Sequence, residues 1–227
     1  MISSISKIQK IASGNKSAIM LNASLPVSIK VMEKTGFNRY NLKFANKTLS
    51  TKSTKNLKIG GEYWGEIGSG SENIVIKNLY EKPDLKAYGA LADGLSIIEK
   101  LIINDDLNWF YEYIFSNLAS CKTKESYEIY ANMIFALQKN IIYIPFFYNE
   151  HLGIFQMEKD NEKAQIYLIF SNFAPLFFNI KNSQILNITT PFEKVAKCLK
   201  EKFECDINIG TFNEIYTQSS YIIDFKE

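Results

Sequence analysis

A chain of 227 residues, 46% of them apolar, has material for one large domain or two small ones and is poorly matched to disorder over most of its length. A formal net charge of +2, carried on the cationic side almost wholly by lysine with Arg39 the single arginine, does not by itself point to nucleic acid. Cys121, Cys198 and Cys205 form no Cys-x-x-Cys pair and are odd in number, which favours a reducing compartment over a disulfide framework.

In chain order, residues 1–24 are rich in Ser, Ile, Lys and Asn and are expected to be a mobile segment, with Ile2, Ile5, Ile8 and Ala12 marking a weak amphipathic helix. No long apolar core follows Met1, so classical export is not expected; Ile2, Ile5 and Ile8 among serines and lysines would suit a non-classical leader or an ordinary terminus. From Leu25 the pattern alternates: Leu25, Val27, Ile29 and Val31, then Tyr40, Leu42 and Phe44 after a turn at Thr35-Gly36. A hairpin tip at Asn46-Lys47, a polar β-branched run from Thr48 to Thr54, a strand from Glu62 to Ile67 and another from Asn73 to Leu79 complete the set. Five short strands over residues 25–81 predict a small closed β-barrel, since closure removes exposed edges.

Lys82-Pro83-Asp84 breaks the strand pattern and predicts a domain boundary. Residues 82–140 then carry helical periods. Tyr88, Leu91, Leu95, Ile98 and Ile102 define one helix, interrupted by Gly89 and Gly94. Asp105-Asp106 can cap a second, with Leu107, Phe110, Tyr111, Ile114 and Leu118, and Thr123 can cap a third, with Tyr127, Tyr130, Ala131, Ile134 and Leu137. Residues 141–227 read as a β/α domain. Ile141 to Tyr148, the longest unbroken apolar run, is interrupted by Pro145 and is far too short for a membrane span. Gly153 to Glu158 is its hairpin partner, and alternation continues through Lys163 to Phe170, Leu176 to Ile180 and Ile185 to Ile188. Thr190-Pro191-Phe192-Glu193 has the composition of a capping box opening a helix whose apolar side is Phe192, Val195, Ala196, Leu199 and Phe203. That helix is expected to lie across the C-terminal antiparallel sheet, with Asp206 to Ile209 a last short strand and Tyr221 to Phe225 a possible edge strand. The fold class expected is therefore α+β: an N-terminal β-barrel, a central helical region, and a C-terminal antiparallel sheet with one packed helix.

Residues suited to bond-breaking chemistry are few. His151 is the single histidine, so a multi-histidine metal site is excluded, and its neighbours Asn149 and Glu150 make it a turn residue rather than a general base. Cys198 and Cys205 lack an upstream ligand pair and read as small buried apolar residues. Gly65-Glu-Ile-Gly68-Ser-Gly70 superficially resembles a phosphate loop, but no Lys-Ser/Thr follows and the next element is a strand, so a hairpin turn is expected. Asp105-Asp106 is accounted for by capping. Trp64, Tyr63, Tyr40 and nearby lysines could form a stacking platform for single-stranded nucleic acid, although their alternate strand positions suit a core. Lys194, Lys197, Lys200 and Lys202 are interleaved with Glu193 and Glu201, the pattern of a solvated face or an interaction surface. No catalytic residue, metal ligand or cofactor site is read from the sequence.

The order of elements, together with Phe173-Ala-Pro-Leu-Phe-Phe-Asn-Ile180, a short hairpin, and Thr190-Pro191 opening an amphipathic helix, resembles the flagellar hook-length control protein family (FliK and FliK-like proteins). In that family the carboxy-terminal domain has a strand beginning Leu-Gly-x-Val-x-Val, a second strand, a helix of the type Leu-x-x-x-Leu-x-x-Leu and a short strand. Phe173 stands at the leucine, Ala174 at the glycine, Leu176 and Phe178 at the valines, and Val195, Leu199 and Phe203 at the helix positions. Leu25-Pro-Val-Ser-Ile-Lys-Val31, Asn46-Lys47-Thr48-Leu49 and Leu57-Lys-Ile-Gly60 are similar to the small β domain of some FliK-like proteins. The chain departs from the family at Ala174 and in having no long Pro/Gln/Ser-rich segment of the kind members use as a ruler. The resemblance implies a non-enzymatic protein of the cytoplasm, or one passed out by the flagellar type III route. It would act in hook-length control or export substrate switching by contact with a protein partner, an export-gate component. The contact surface expected is Lys194, Lys197 and Lys200 on the helix with Pro175 and Phe177 on the sheet. The competing expectation is an OB-like nucleic-acid-binding module at residues 25–80 with a helical appendage.

Overall fold

The computed structural model describes residues 8–11, 19–22, 26–44, 47–53, 55–69, 74–85, 89–104 and 106–218. The chain divides into two compact units, Met1–Pro83 with Thr190–Glu204, and Asp84–Thr189 with Cys205–Glu227. No described helix is long and apolar enough to cross a membrane.

In the first unit, β1 (Ile8–Ile11) and β2 (Ile19–Asn22) pair as an antiparallel hairpin, so the helical spacing of the N-terminal isoleucines does not make a helix at Ile8. The expected mobility of residues 1–24 falls largely outside the described residues, as does Asn46 of the expected tip, whose Lys47 opens a strand. Of the hairpin turn expected at Gly65 to Gly70, residues 65–69 are strand and Gly70 lies outside the described residues. The alternating segments form β3 (Val27–Gly36), β4 (Arg39–Phe44), β5 (Lys47–Lys52), β6 (Glu62–Ser69) and β7 (Ile74–Glu81). The turn between β3 and β4 falls at Phe37 and Asn38, where Asn38 takes a positive φ of 54°, rather than at Thr35-Gly36. Ile29, Val31, Tyr40, Leu42, Phe44, Leu57 and Tyr63 form its buried cluster. The loop carrying Leu57 is tied down by the Tyr40 and Tyr63 hydroxyls, which accept from the Leu57 and Lys58 amides at 3.4 and 3.0 Å.

The barrel expected here is not formed. The strand order is β5-β4-β3-β6-β7, an open sheet whose ends β5 and β7 do not pair. Alternation specifies which side chains face a core; it does not specify that the first and last strands meet. The unit instead takes in a distant helix, α4 (Glu193–Lys200), which is counted with this sheet and not with the C-terminal one as expected from the sequence. Its first turn is capped by Glu66 of β6, only 4% exposed, whose carboxylate accepts from the Glu193 amide at 3.1 Å and the Lys194 amide at 2.7 Å. The Asn78 side-chain amide donates to the same carboxylate at 2.8 Å, from a bulge in β7 where Asn78 has φ 53°. The capping box at Thr190 is thereby overturned. Thr190 ends β12 (Gln184–Thr190), its buried hydroxyl has no hydrogen-bond partner, and the residue preceding the helix is Phe192. Phe192, Val195 and Ala196 are buried, while Phe203 is 38% exposed.

The second unit is an antiparallel meander. The strands β8 (Ile141–Tyr148), β9 (His151–Asp160), β10 (Lys163–Phe170), β11 (Phe173–Lys181) and β12 are followed by β13 (Asp206–Ile209), in the order β13-β12-β11-β10-β9-β8. Two-residue turns with both φ values positive, Asn149 and Glu150, then Asn182 and Ser183, fix its register. Three helices join this sheet: α1 (Gly94–Ile103), α2 (Asn108–Ser120) and α3 (Lys124–Leu137), with α1 and α3 contacting β8 and α2 contacting α3. Thr123 caps α3, accepting from the Ser126 amide at 3.2 Å. Asp106 accepts from the Asn108 amide at 3.0 Å at the start of α2. The first helix starts later than the periodicity implies, because Leu91 forms a parallel bridge to Phe146 of β8. Gly94 then brings the helix so close that a Cβ on it would lie 2.6 Å from the Phe146 Cβ.

Candidate functional site

A row of side chains crosses the six-stranded sheet. Tyr143, Gln156, Tyr167, Phe177 and Thr189 are successive register partners from β8 to β12, so period-2 geometry puts all of them on one face. After β13 the chain turns back along this row. Gly210 lies over Thr189, the Phe212 ring packs on Tyr167 and Phe177 with centroids 6.1 and 5.4 Å away, and the Tyr216 ring lies 5.4 Å from that of Tyr143.

Gln156 fixes the strap in place. It is fully buried, and its amide is matched atom by atom: Oε1 accepts from the Ile215 and Tyr216 amides at 2.8 and 2.9 Å, and Nε2 donates to the Tyr216 carbonyl at 2.8 Å. One side chain thus satisfies two successive N–H groups and one carbonyl of the strap where its backbone bends at Ile215. The Tyr216 hydroxyl donates to the Asn132 Oδ1 of α3 at 3.3 Å, and the Lys139 ammonium stands 5.3 Å from the Tyr216 ring centre. Glu214, in the same strap, has its carboxyl pushed up by burial, with a hydrogen bond from Thr217 acting in the opposite direction.

The residues singled out in the sequence are divided between the units. Lys194, Lys197 and Lys200 lie on α4 in the first, Lys197 and Lys200 exposed and Lys194 half-buried. Pro175 and Phe177 lie on β11 in the second; Pro175 is buried and Phe177 is half-buried against the Phe212 ring. His151 is the half-buried first residue of β9, and Cys121, Cys198 and Cys205 are free thiols. The Cys205 thiol is pushed up by burial and then by Asp206, the opposite of what a nucleophile requires. Among the described residues no cluster of three or more His, Cys, Asp or Glu could hold a metal ion. Asp93, Tyr113 and Tyr130 link the helices, the Tyr113 hydroxyl donating to both Asp93 oxygens at 3.0 and 2.9 Å. Burial, then Tyr130 and Asp93, holds the Tyr113 hydroxyl well above its ordinary range, so it stays a neutral donor.

Gln156, Tyr216 and Glu66 are the residues that periodicity did not single out. The signal open to the sequence was a lone polar residue inside an apolar strand: Gln156 in Gly153-Ile-Phe-Gln-Met157, and Glu66 in Tyr63-Trp-Gly-Glu-Ile67. Comparison of the chain with protein-family models, with characterised proteins and with solved structures gives no match.

Proposed function

We propose that the chain is a non-enzymatic, FliK-like protein acting by protein–protein contact, in hook-length control or in type III export substrate switching. The observation that carries this reading is the grip of the six-stranded sheet on an irregular polypeptide segment, through one buried amide and a row of rings. Holding backbone is what docking requires, and it needs no reacting group. The order β11, β12, α4, β13 over residues 173–209 is also the strand, strand, helix, short strand order that the resemblance implies. Exposed Lys197 and Lys200 in the last turn of α4 supply the cationic contact for an acidic surface on an export-gate component. The protein would meet this partner in the cytoplasm or on its way out by the same route.

The stacking-platform reading loses its support, since the sheet is open and Tyr40, Tyr63 and Trp64 are only 1%, 6% and 2% exposed. The test is capture of partners from cells with hook assembly intact and from cells lacking the export gate. The full chain is expected to retain a gate component from the first alone. Replacing Lys194, Lys197 and Lys200 together by Glu is expected to weaken that capture at least tenfold, as like-charge contacts replace attractive ones. Equal capture by the reversed chain, or capture of single-stranded nucleic acid with a steep salt dependence, would refute the reading.

A further inference from the structure

We propose that the row Tyr143, Gln156, Tyr167 and Phe177 is a binding site for a peptide that bends over Gln156 and carries two aromatic residues four positions apart, and that residues 210–216 occupy it in cis. This rests on the reading that the protein acts by contact with other proteins. The strap displays the chemistry of the occupant. Its backbone at Ile215 and Tyr216 is read by Gln156 without reference to side-chain identity, and its two rings fall on Tyr167 with Phe177 and on Tyr143. The spacing follows from geometry: between two and three strand separations, about 10–14 Å, lie between those ring positions, and four residues reach up to roughly 14 Å. The strap is joined to the row by no ladder, being outside every strand from Gly210 to Gln218, and Thr211 and Asn213 face solvent. Its half-buried Glu214 is held at the expense of desolvation, so one contact of the cis occupant is unfavourable in its charged form. A partner segment with the Phe-x-x-x-Tyr pattern and no acid at the central position would fit the same row without that cost.

The probe is a fluorescent synthetic peptide with the sequence of residues 209–218, used with the full-length chain. The wild-type chain is expected to bind it weakly, because the tethered strap competes at an effective concentration in the millimolar range. Substituting Phe212→Ala with Tyr216→Ala is expected to tighten binding at least tenfold, and adding Gln156→Ala is expected to abolish the gain. Backbone exchange of β10 and β11 amides verifies that the variants keep the sheet. Should they not, the wild-type chain gives its own answer: millimolar peptide should speed exchange of the Ile215 and Tyr216 amides at least threefold. Unaltered exchange, or no binding by a folded double variant, overturns the proposal. So does tightened binding that disappears as the double variant dimerises, which would make a second copy the occupant. Failure to capture an export-gate component leaves peptide binding intact, so the two readings fail separately.

Discussion

At Glu66 a carboxylate withdrawn almost entirely from water is retained because three N–H donors converge on it: two from the first turn of α4 and one from Asn78. Glu66→Ala is therefore expected to destabilise the first unit by about 1–3 kcal/mol, the range of a lost cap with donors left unpaired. Glu66→Gln should recover part of this, read as the urea midpoint. Thr190→Val has the opposite expectation. Its hydroxyl is buried without a partner, so removing it should leave the midpoint unchanged or raise it, whereas a true N-cap would lower it. Glu214 adds a pH dependence. Its folded pKa lies above the unfolded value, so its stabilising contribution is complete below the ordinary carboxylate range and is lost as pH rises through the folded pKa. Glu214→Gln should then stabilise the protein at pH 7 and lose that advantage at pH 4, measured as the difference in urea midpoints.

At the scale of elements, Gly65 shows how a strand interior can require glycine. A Cβ there would lie 2.7 Å from the Ile76 Cγ2 and 3.0 Å from the Ile29 Cδ1, so Gly65→Ala is expected to cost about 1–3 kcal/mol in thermal or urea unfolding. The same observation explains why the Gly65 to Gly70 stretch superficially resembled a phosphate loop: its first glycine serves close packing between β6 and β7. Much of the element content was legible. Alternation over Val27 to Val31, Tyr40 to Phe44 and Lys163 to Phe170, the apolar run Ile141 to Tyr148, and the Thr123 cap mark strands and a helix start that the structure contains. What was not legible depended on contacts distant in sequence. Barrel closure is a property of two edges, not of any strand. The Thr190 capping box lost to a carboxylate 127 residues from the Glu193 amide it caps. The strap has neither a period of two nor of 3.6, so its attachment is visible only once β8 to β12 bring Tyr143, Gln156, Tyr167 and Phe177 into one row.

For the whole molecule, the decisive feature is that the first unit is discontinuous in sequence, needing residues 190–204 to complete it. Such long-range closure slows folding, since loop entropy must be overcome before the contact forms. A chain ended at Thr189 is expected to leave Glu66 without its two backbone donors. Exchange protection in β3, β4 and β6 should then drop relative to the full chain, and a synthetic peptide of residues 190–204 should restore part of it. Protection independent of that segment would show α4 to be dispensable.

The interleaving also sets an order of dismantling. Among the described residues, a force or translocase drawing the polypeptide from the carboxyl side is expected to peel the strap from Gln156 first, strip β13 from its neighbour next, and then unwind α4 from Glu66. It thereby unlocks the amino-terminal sheet before the remaining meander has been touched. Traction from the amino side meets the hairpin of β1 and β2 first and then β3, which is paired on both sides by β4 and β6, with the cap still engaged. The resistance of the described residues to threading is therefore expected to depend on which side leads.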